Sequence, residues 1–369
     1  MKTFEIATKK SKRRNLLKNV VFSTLGTITL LIGVYSLLNK MTSDNAWKIE
    51  RYHSTIVDIA YPNIDLFSFE FLASSQFNGR YEATQKKDIA GIPVPFESYS
   101  KNYSANPRIA SGSATSSFYP SWDGTAHYTY ANNYKVPVFF NRVYDYSQHT
   151  KENQSKLTQD IELLPQMTGK AVEVAVTFDK SYTFEEIESM IPETLKINWY
   201  WIGTSSQYDT TYLGLESLIG FTPYLKQEMT FEESEEQIKQ LHKEGSEEER
   251  EKRYQAYLKN SPLEQRFKNS YEHFKERVEQ ALHNKFLNYA VGNDSERLFT
   301  LQEDVEAYLK NNPDGKTAKF SGVILTGKAE NFAQLEKAEW IFGSNIGQSI
   351  DIEPYHHLDT RHDPAIPQK

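Results

Sequence analysis

Three hydrophobic rhythms divide the chain. The first is an unbroken run: residues 19–39 (NVVFSTLGTITLLIGVYSLLN) carry no charge over 21 positions. At 1.5 Å per helical residue this run spans about 30 Å, the thickness of a bilayer's hydrocarbon core. A buried core helix seldom stays uncharged for so long beside a basic cluster. A cleaved signal peptide has a shorter apolar core and a small-x-small site, whereas cleavage after Ala46 would put Asp44 at the −3 place. The run therefore predicts an uncleaved membrane-spanning helix, with a juxtamembrane linker over 40–55.

The second rhythm is short and aromatic. Runs such as DLFSFEFLA, GIPVPFESY and KVPVFFNRVYDY, broken by Pro, Gly and Asn, predict a β-rich region over 56–147. Within it, the stretch from Ser98 to Tyr134 is rich in Ser, Tyr, Asn, Ala and Gly and reads as a long surface excursion of a β domain. The polar segment 148–168 reads as a boundary.

The third rhythm switches between periods of two and of three to four. Val172, Val174, Val176 and Phe178 alternate with Ala171, Glu173, Ala175 and Thr177, the period of a half-buried strand. Thr183 and Glu186 form a capping box ahead of a helix with Phe184, Ile187, Met190 and Ile191 on one face, closed by Pro192. Leu195, Ile197, Trp199 and Trp201 alternate again. Later, FSGVILTG (320–327) predicts a strand, 329–342 a helix ended by Gly343, and SIDI (349–352) a last strand. The order β-α-β, interruption, β-α-β predicts an α+β domain over 169–354 of ferredoxin-like split βαβ type. The interruption, about 215–312, is charged and reads as a helical insert. Its strongest helix follows Ser261-Pro262 and places Leu263, Phe267, Tyr271, Phe274, Val278, Leu282 and Phe286 at steps of three and four, a core-packing stripe. Residues 355–369 read as a flexible tail.

Charge then gives the anchor a direction. The net charge of −7 is a sum of unlike parts. The first forty residues hold eight Lys or Arg and one acid, while the other 329 hold 34 bases and 48 acids. Lys9, Lys10, Lys12, Arg13, Arg14 and Lys18 stand on the N-terminal side of the apolar run, so the positive-inside rule places 1–18 in the cytoplasm and the bulk of the chain outside the cell membrane. A basic tail this short also rests on anionic headgroups, and no nucleic-acid partner is expected. With no cysteine, disulfides, thiol catalysis and Cys-ligated metals are excluded.

The segments EVAVTFDKSYTFEEIESMIPETLKINWYWIGT (173–204) and SGVILTGKAENFAQLEKAEWIFGSNIGQSIDI (321–352) resemble the two ends of the C-terminal regulator domain of membrane-anchored anti-sigma factors from Gram-positive bacteria. The basic tail, the anchor and IAYPNIDLFSFEFLASSQFNGRYEATQKKDIAGIPVPFE (59–97) are similar to that family's N-terminal regulator region. The resemblance implies a single-pass regulator of an extracytoplasmic-function sigma factor, with an outer domain that senses envelope state or contacts a partner. Members that grip a sigma factor directly carry a longer cytoplasmic helical domain than MKTFEIATKKSKRRNLLK. The expected partner is thus a sigma factor bound either directly or through a second membrane protein. A competing reading is an extracytoplasmic envelope-binding or scaffolding protein with no transcriptional role.

Chemistry beyond binding finds little support. The pattern G-x-x-x-x-G-K at 322–328 lacks the Ser/Thr that would hold Mg²⁺, since Ala329 follows, and its middle residues are strand formers. His356, His357, Asp359, His362 and Asp363 are metal-ligand types, but they fall in the expected tail, and no metal site is predicted. Trp199 and Trp201 are two apart on a strand, which favours packing over sugar stacking. No acid pair, nucleophile elbow or zinc motif singles itself out, so neither an enzyme nor a cofactor is proposed.

Overall fold

The computed structural model of the chain describes residues 2–106, 118–148, 155–223, 263–288, 290–293 and 296–361. Helix α1 runs unbroken over Lys2–Ile59, about 87 Å at 1.5 Å per residue. The stretch 40–55, expected as a juxtamembrane linker, is part of this helix. No Gly or Pro occurs between Gly33 and Pro62, and Ala46, Ile56 and Ile59 are buried. The helix stops where Tyr61 turns to φ 58° just before Pro62, which lacks the N–H to continue it. Along the apolar run the side chains are exposed, and the hydroxyls of Thr24, Thr27 and Thr29 donate to the carbonyls of Val20, Ser23 and Leu25 at 2.8, 2.9 and 3.0 Å. The run's threonine hydroxyl donors are thereby satisfied within the helix.

Three long strands follow, β1 (Ile64–Ser75), β2 (Asn78–Ile89) and β3 (Ile92–Ser104), hydrogen-bonded in that order. β2 has no counterpart among the predicted runs, because its inward positions are Tyr81, Ala83, Gln85, Lys87 and Ile89, two of them polar. Short strands β4 (Phe118–Pro120), β5 (His127–Thr129) and β6 (Lys135–Val136) make a small antiparallel sheet.

The chain divides into two compact units that cut across the linear boundaries: 1–51, 70–82 and 100–113 in one, the remainder in the other. In the first, Tyr35 and Trp47 of α1 meet Phe77 and Phe71 edge-on, at 5.8 and 5.2 Å between ring centres. Asn45 Nδ2 donates to the Ser104 carbonyl at 2.8 Å.

The second unit is built on a five-stranded antiparallel sheet of β7 (Lys170–Thr183), β8 (Lys196–Trp201), β9 (Gly220–Phe221), β12 (Lys319–Lys328) and β13 (Ile341–Asp351), in the order β13-β7-β12-β8-β9. Val174 lies opposite Leu325 and Ile346, and Val176 opposite Val323. This is an α+β architecture. The first crossover carries α2 (Phe184–Met190) with the expected capping box between Thr183 and Glu186. The second differs from the expectation: 329–335 is a 3₁₀ segment and β13 starts at Ile341, so Gly343 lies inside a strand. Phe332 and Leu335, three apart, bury equally well on a 3₁₀ turn.

Both faces of the sheet are covered. On one, Phe139 meets Trp199 and Trp201 at 5.8 and 4.8 Å, and both tryptophans are buried, as packing requires. On the other lies α3 (Leu263–His283), whose Phe267, Tyr271, Phe274 and Val278 are buried. Phe267 stacks on Phe184 at 4.0 Å and meets Tyr200 at 5.0 Å and Phe320 at 5.7 Å. The described part of the insert is not wholly helical: β10 (Ala290–Asn293) and β11 (Glu296–Thr300) form a hairpin before α4 (Leu301–Asn311). Ser261-Pro262, which the sequence places just before α3, lie outside the described residues. Replacing Phe267 by Ala removes the ring at the centre of this cluster, and the expected cost is about 3–5 kcal/mol, read as a lowered urea midpoint in tryptophan-fluorescence unfolding.

Candidate functional site

The polar groups of the second unit converge where the end of α1, the β2–β3 turn and the five-stranded sheet meet. Their centre is Glu173 of β7, which has no exposure to water. Its Oε2 accepts from Lys87 Nζ at 2.7 Å and from the Gln348 backbone N–H at 3.1 Å, and its Oε1 accepts from Asn63 Nδ2 at 2.8 Å. Lys87 is equally buried, with its ammonium 4.9 Å from the centre of the Phe96 ring. Burial pushes the Lys87 ammonium below its ordinary value, and Glu173 opposes that shift.

A chain of neutral groups extends from this pair. Asn63 occupies the left-handed region at φ 56°, a conformation that asparagine tolerates. There its Nδ2 also donates to the Asp88 carbonyl at 2.9 Å, and its Oδ1 accepts from Asn198 Nδ2 at 2.8 Å. Thr326 donates to Asn198 Oδ1 at 3.0 Å and accepts from the Ala90 N–H at 3.1 Å. Asn63, Lys87, Asp88 and Ala90 thus tie their segments to β7, β8 and β12 by hydrogen bonds.

The next residue of β2 makes a second ionic contact. Lys196 of β8 reaches Asp88 at 2.9 Å and Asp359 at 2.5 Å. Burial is the largest influence on Lys196 and acts downward, yet the two carboxylates together hold its ammonium above the usual value. Asp359 fits against Gly91, whose φ of 89° and missing Cβ are both required: a Cβ would stand 2.5 Å from the carboxylate oxygen. Two residues on, Arg361 donates to the carbonyls of Glu188 and Ile191 at the C-terminal end of α2. Asp359 and Arg361 are both buried, so 355–361 closes the domain instead of forming part of a loose tail. Polar partners order it together with Leu358, which packs against the cluster of Ile89, Ile92, Val94 and Ala171.

Beside these contacts opens a cleft of about 400 Å³. Ser54, Val57 and Asp58 of α1, Asp65 and Leu66 of β1, Asp88, Lys196, Asn198 and Trp199 line one side. Phe221, Thr222, Ser270, His273, Phe274 and Arg277 line the other, and Arg277 joins Asp58 at 2.8 Å. Its lining mixes apolar side chains with charges of both signs.

The residues singled out from sequence fall elsewhere. Lys9, Lys10, Lys12, Arg13, Arg14 and Lys18 all lie on α1 before the apolar run, the last four exposed. Of the histidine cluster, His356 Nδ1 accepts from the Glu353 N–H at 3.0 Å and Asp359 is held by Lys196, while His362 and Asp363 lie outside the described residues. Among the described residues no group of three metal-ligating side chains converges. Gly322 and Gly327 of the phosphate-loop pattern are strand residues, and a Cβ on them would meet Phe139 at 2.9 Å and Leu195 at 2.7 Å. Lys87, Asp88, Asn63 and Lys196 went unmarked, although Asp88-x-x-Gly91 is a turn signal that places a carboxylate beside a tight bend.

Comparison with known proteins adds two matches. A family model described as Sigma factor regulator N-terminal matches residues 6–94, and one described as Sigma factor regulator C-terminal matches residues 164–348. No curated protein and no solved structure matches. The Lys87–Glu173 pair therefore joins the two matched segments.

Removing Lys87 alone leaves a buried carboxylate without its counter-charge. Lys87→Met is expected to lower stability by about 3–5 kcal/mol, and adding Glu173→Gln to restore part of that loss in a double-mutant cycle. A pH effect has a separate origin. His53, stacked on Tyr99 at 4.0 Å, has its pKa lowered by burial from 6.5 to about 3. The folded state thus takes up a proton here less readily than the unfolded one, and stability falls as pH drops from 6.5 towards 3. In His53→Phe the pH dependence of the urea midpoint over that interval should flatten.

Proposed function

The chain belongs to the sigma factor regulator family, and on that premise we propose a membrane-anchored anti-sigma-factor-like regulator that acts by protein binding. The observation that carries this reading is the N-terminal match over 6–94, which includes the one described helix long and apolar enough to cross a membrane. In this reading α1 crosses the cell membrane once over 19–39. Lys9, Lys10, Lys12, Arg13, Arg14 and Lys18 hold its N-terminal end in the cytoplasm, and the sheet domain lies outside. The regulated partner is an extracytoplasmic-function sigma factor, engaged at the cytoplasmic end of α1 directly or through a second membrane protein. The outer domain senses envelope state or contacts a partner, with the cleft beside Lys196 as its binding site. The two family matches support binding as the mode of action.

The experiment compares cells with and without the gene under cell-wall stress, measuring transcription from envelope-stress promoters. Loss of the gene should change that output. The intact chain should restore it, and a chain with the six basic residues changed to Gln, whose orientation is no longer fixed, should not. An unchanged output in the deletion strain sinks the regulatory reading. Recovery of wall-synthesis proteins alone from crosslinked membranes would then favour an envelope scaffold.

A further inference from the structure

The turn between β1 and β2 breaks the usual rules of turn chemistry. Two-residue hairpin turns favour Gly, Asn and Asp, yet here the turn is Gln76-Phe77, with an aromatic ring at the tip. The ring is not there to fill the core of a domain. It meets Tyr35 of α1 edge-on at 5.8 Å and is itself half-buried. Gln76 Nε2 donates to Asn39 Oδ1 at 2.7 Å, and Thr42 Oγ1 lies 3.5 Å from the Phe77 carbonyl. The tip is therefore fastened to α1 at residues 35–42, across the end of the apolar run at Asn39.

Two further features fit this position. Tyr35 lies four residues before Asn39, about 6 Å inside the apolar run. Its ring partner Phe77 is thus held at a level that belongs to the membrane if α1 spans it. The tip is also free of charge: residues 71–79 (FLASSQFNG) contain none, in a chain where a quarter of residues are charged. The first charge after the tip is Arg80, about 10 Å along the strand from Phe77. A headgroup layer is roughly 5–8 Å deep on each side of the hydrocarbon core. The uncharged length matches that depth, so the tip enters the layer without desolvating an ion.

We propose that the β1–β2 tip is a lipid-contacting element, with Phe77 and Tyr35 seated at the outer boundary of the hydrocarbon core and Gln76 and Asn78 among the headgroups. The aromatic pair plays the part of an interfacial belt. The proposal rests on the reading of α1 as a membrane span. Its consequence is that the hairpin, a long way along the chain from the anchor, is fixed in depth together with it.

The absence of cysteine makes the test direct, because one substitution gives one labelling site. The full-length chain is reconstituted in phosphatidylcholine–phosphatidylglycerol vesicles whose acyl chains carry bromine near the headgroup or near the terminal methyl. Bimane is attached to Gln76→Cys, Phe77→Cys, Ile28→Cys or Lys48→Cys in turn. Ile28 is mid-run, and Lys48 is exposed about 14 Å beyond Asn39. Labels at 76 and 77 should lose most of their emission to the shallow bromine and little to aqueous iodide. The label at 28 should respond to the deep bromine and the label at 48 to iodide alone. Because Phe77→Cys removes the ring, the Gln76→Cys result with Phe77 intact decides the matter. If label 76 behaves like label 48 while label 28 is quenched by lipid, the tip is not a lipid contact and the anchor stands. If label 28 is quenched by iodide alone, the anchor reading and the tip contact fall together.

Discussion

Two ions of opposite charge sit side by side out of reach of water, and much of the second unit is arranged to make that tolerable. Transferring a carboxylate or an ammonium from water into the interior costs several kcal/mol even after relaxation. Glu173 recovers this with three hydrogen bonds, from Lys87, Asn63 and the Gln348 backbone. Lys87 recovers it through Glu173 and the face of the Phe96 ring. The partners are 86 positions apart, so neither segment can bury its charge alone. Folding of the segment around β2 and of the sheet around β7 is in this sense one event.

The consequences spread along the backbone in both directions. Towards the N-terminus, Asn63 must hold its left-handed conformation to serve Glu173 and Asn198 together, and that fixes where the chain leaves α1. Ile56 and Ile59, the last turns of the helix, are buried in the same core as Val174 and Tyr200. Towards the C-terminus, Lys196 needs both Asp88 and Asp359, which draws residues 359–361 onto the β2–β3 turn and lets Arg361 cap α2. A helix end, a turn and a C-terminal segment are thus positioned by polar requirements that begin at two buried charges.

What could be read from sequence follows from this division of labour. Elements fixed by apolar periodicity were legible: the uncharged run inside α1, the capping box of α2, the alternation of β7 and β8, and the stripe of α3. Elements fixed by polar partners were not. β2 carries Gln85 and Lys87 on its inner face, so QKKD reads as a solvated charge run. Glu173 reads as the wet side of a half-buried strand because alternation cannot reveal that both faces of β7 are covered. Asp359 and Arg361 lie in a segment with no apolar pattern, and their order depends on partners far away in sequence. The helix expected over 329–342 failed for a related reason. Phe332, Leu335 and Phe342 satisfy a helical stripe, but Phe342 belongs to a strand paired with β7.

Buried ion pairs often add no more stability than an apolar pair of similar volume, so Lys87 and Glu173 call for a further explanation. Register supplies one. Neighbouring residues of a strand face opposite sides, and a slip of one position exchanges them. On β2 the neighbours are Lys87 and Asp88, of opposite sign, and their partners Glu173 and Lys196 are also of opposite sign. A slip in one direction would present Asp88 to Glu173, two carboxylates in a dry site, and a slip in the other would present Lys87 to Lys196. Either slip sets two like charges against each other at one of the two sites. A greasy strand in place of β2 would tolerate that slip, because either face could be buried. With these four charges only one alignment neutralises every ion, and that alignment also brings Ala90 to Thr326 and Gly91 to Asp359.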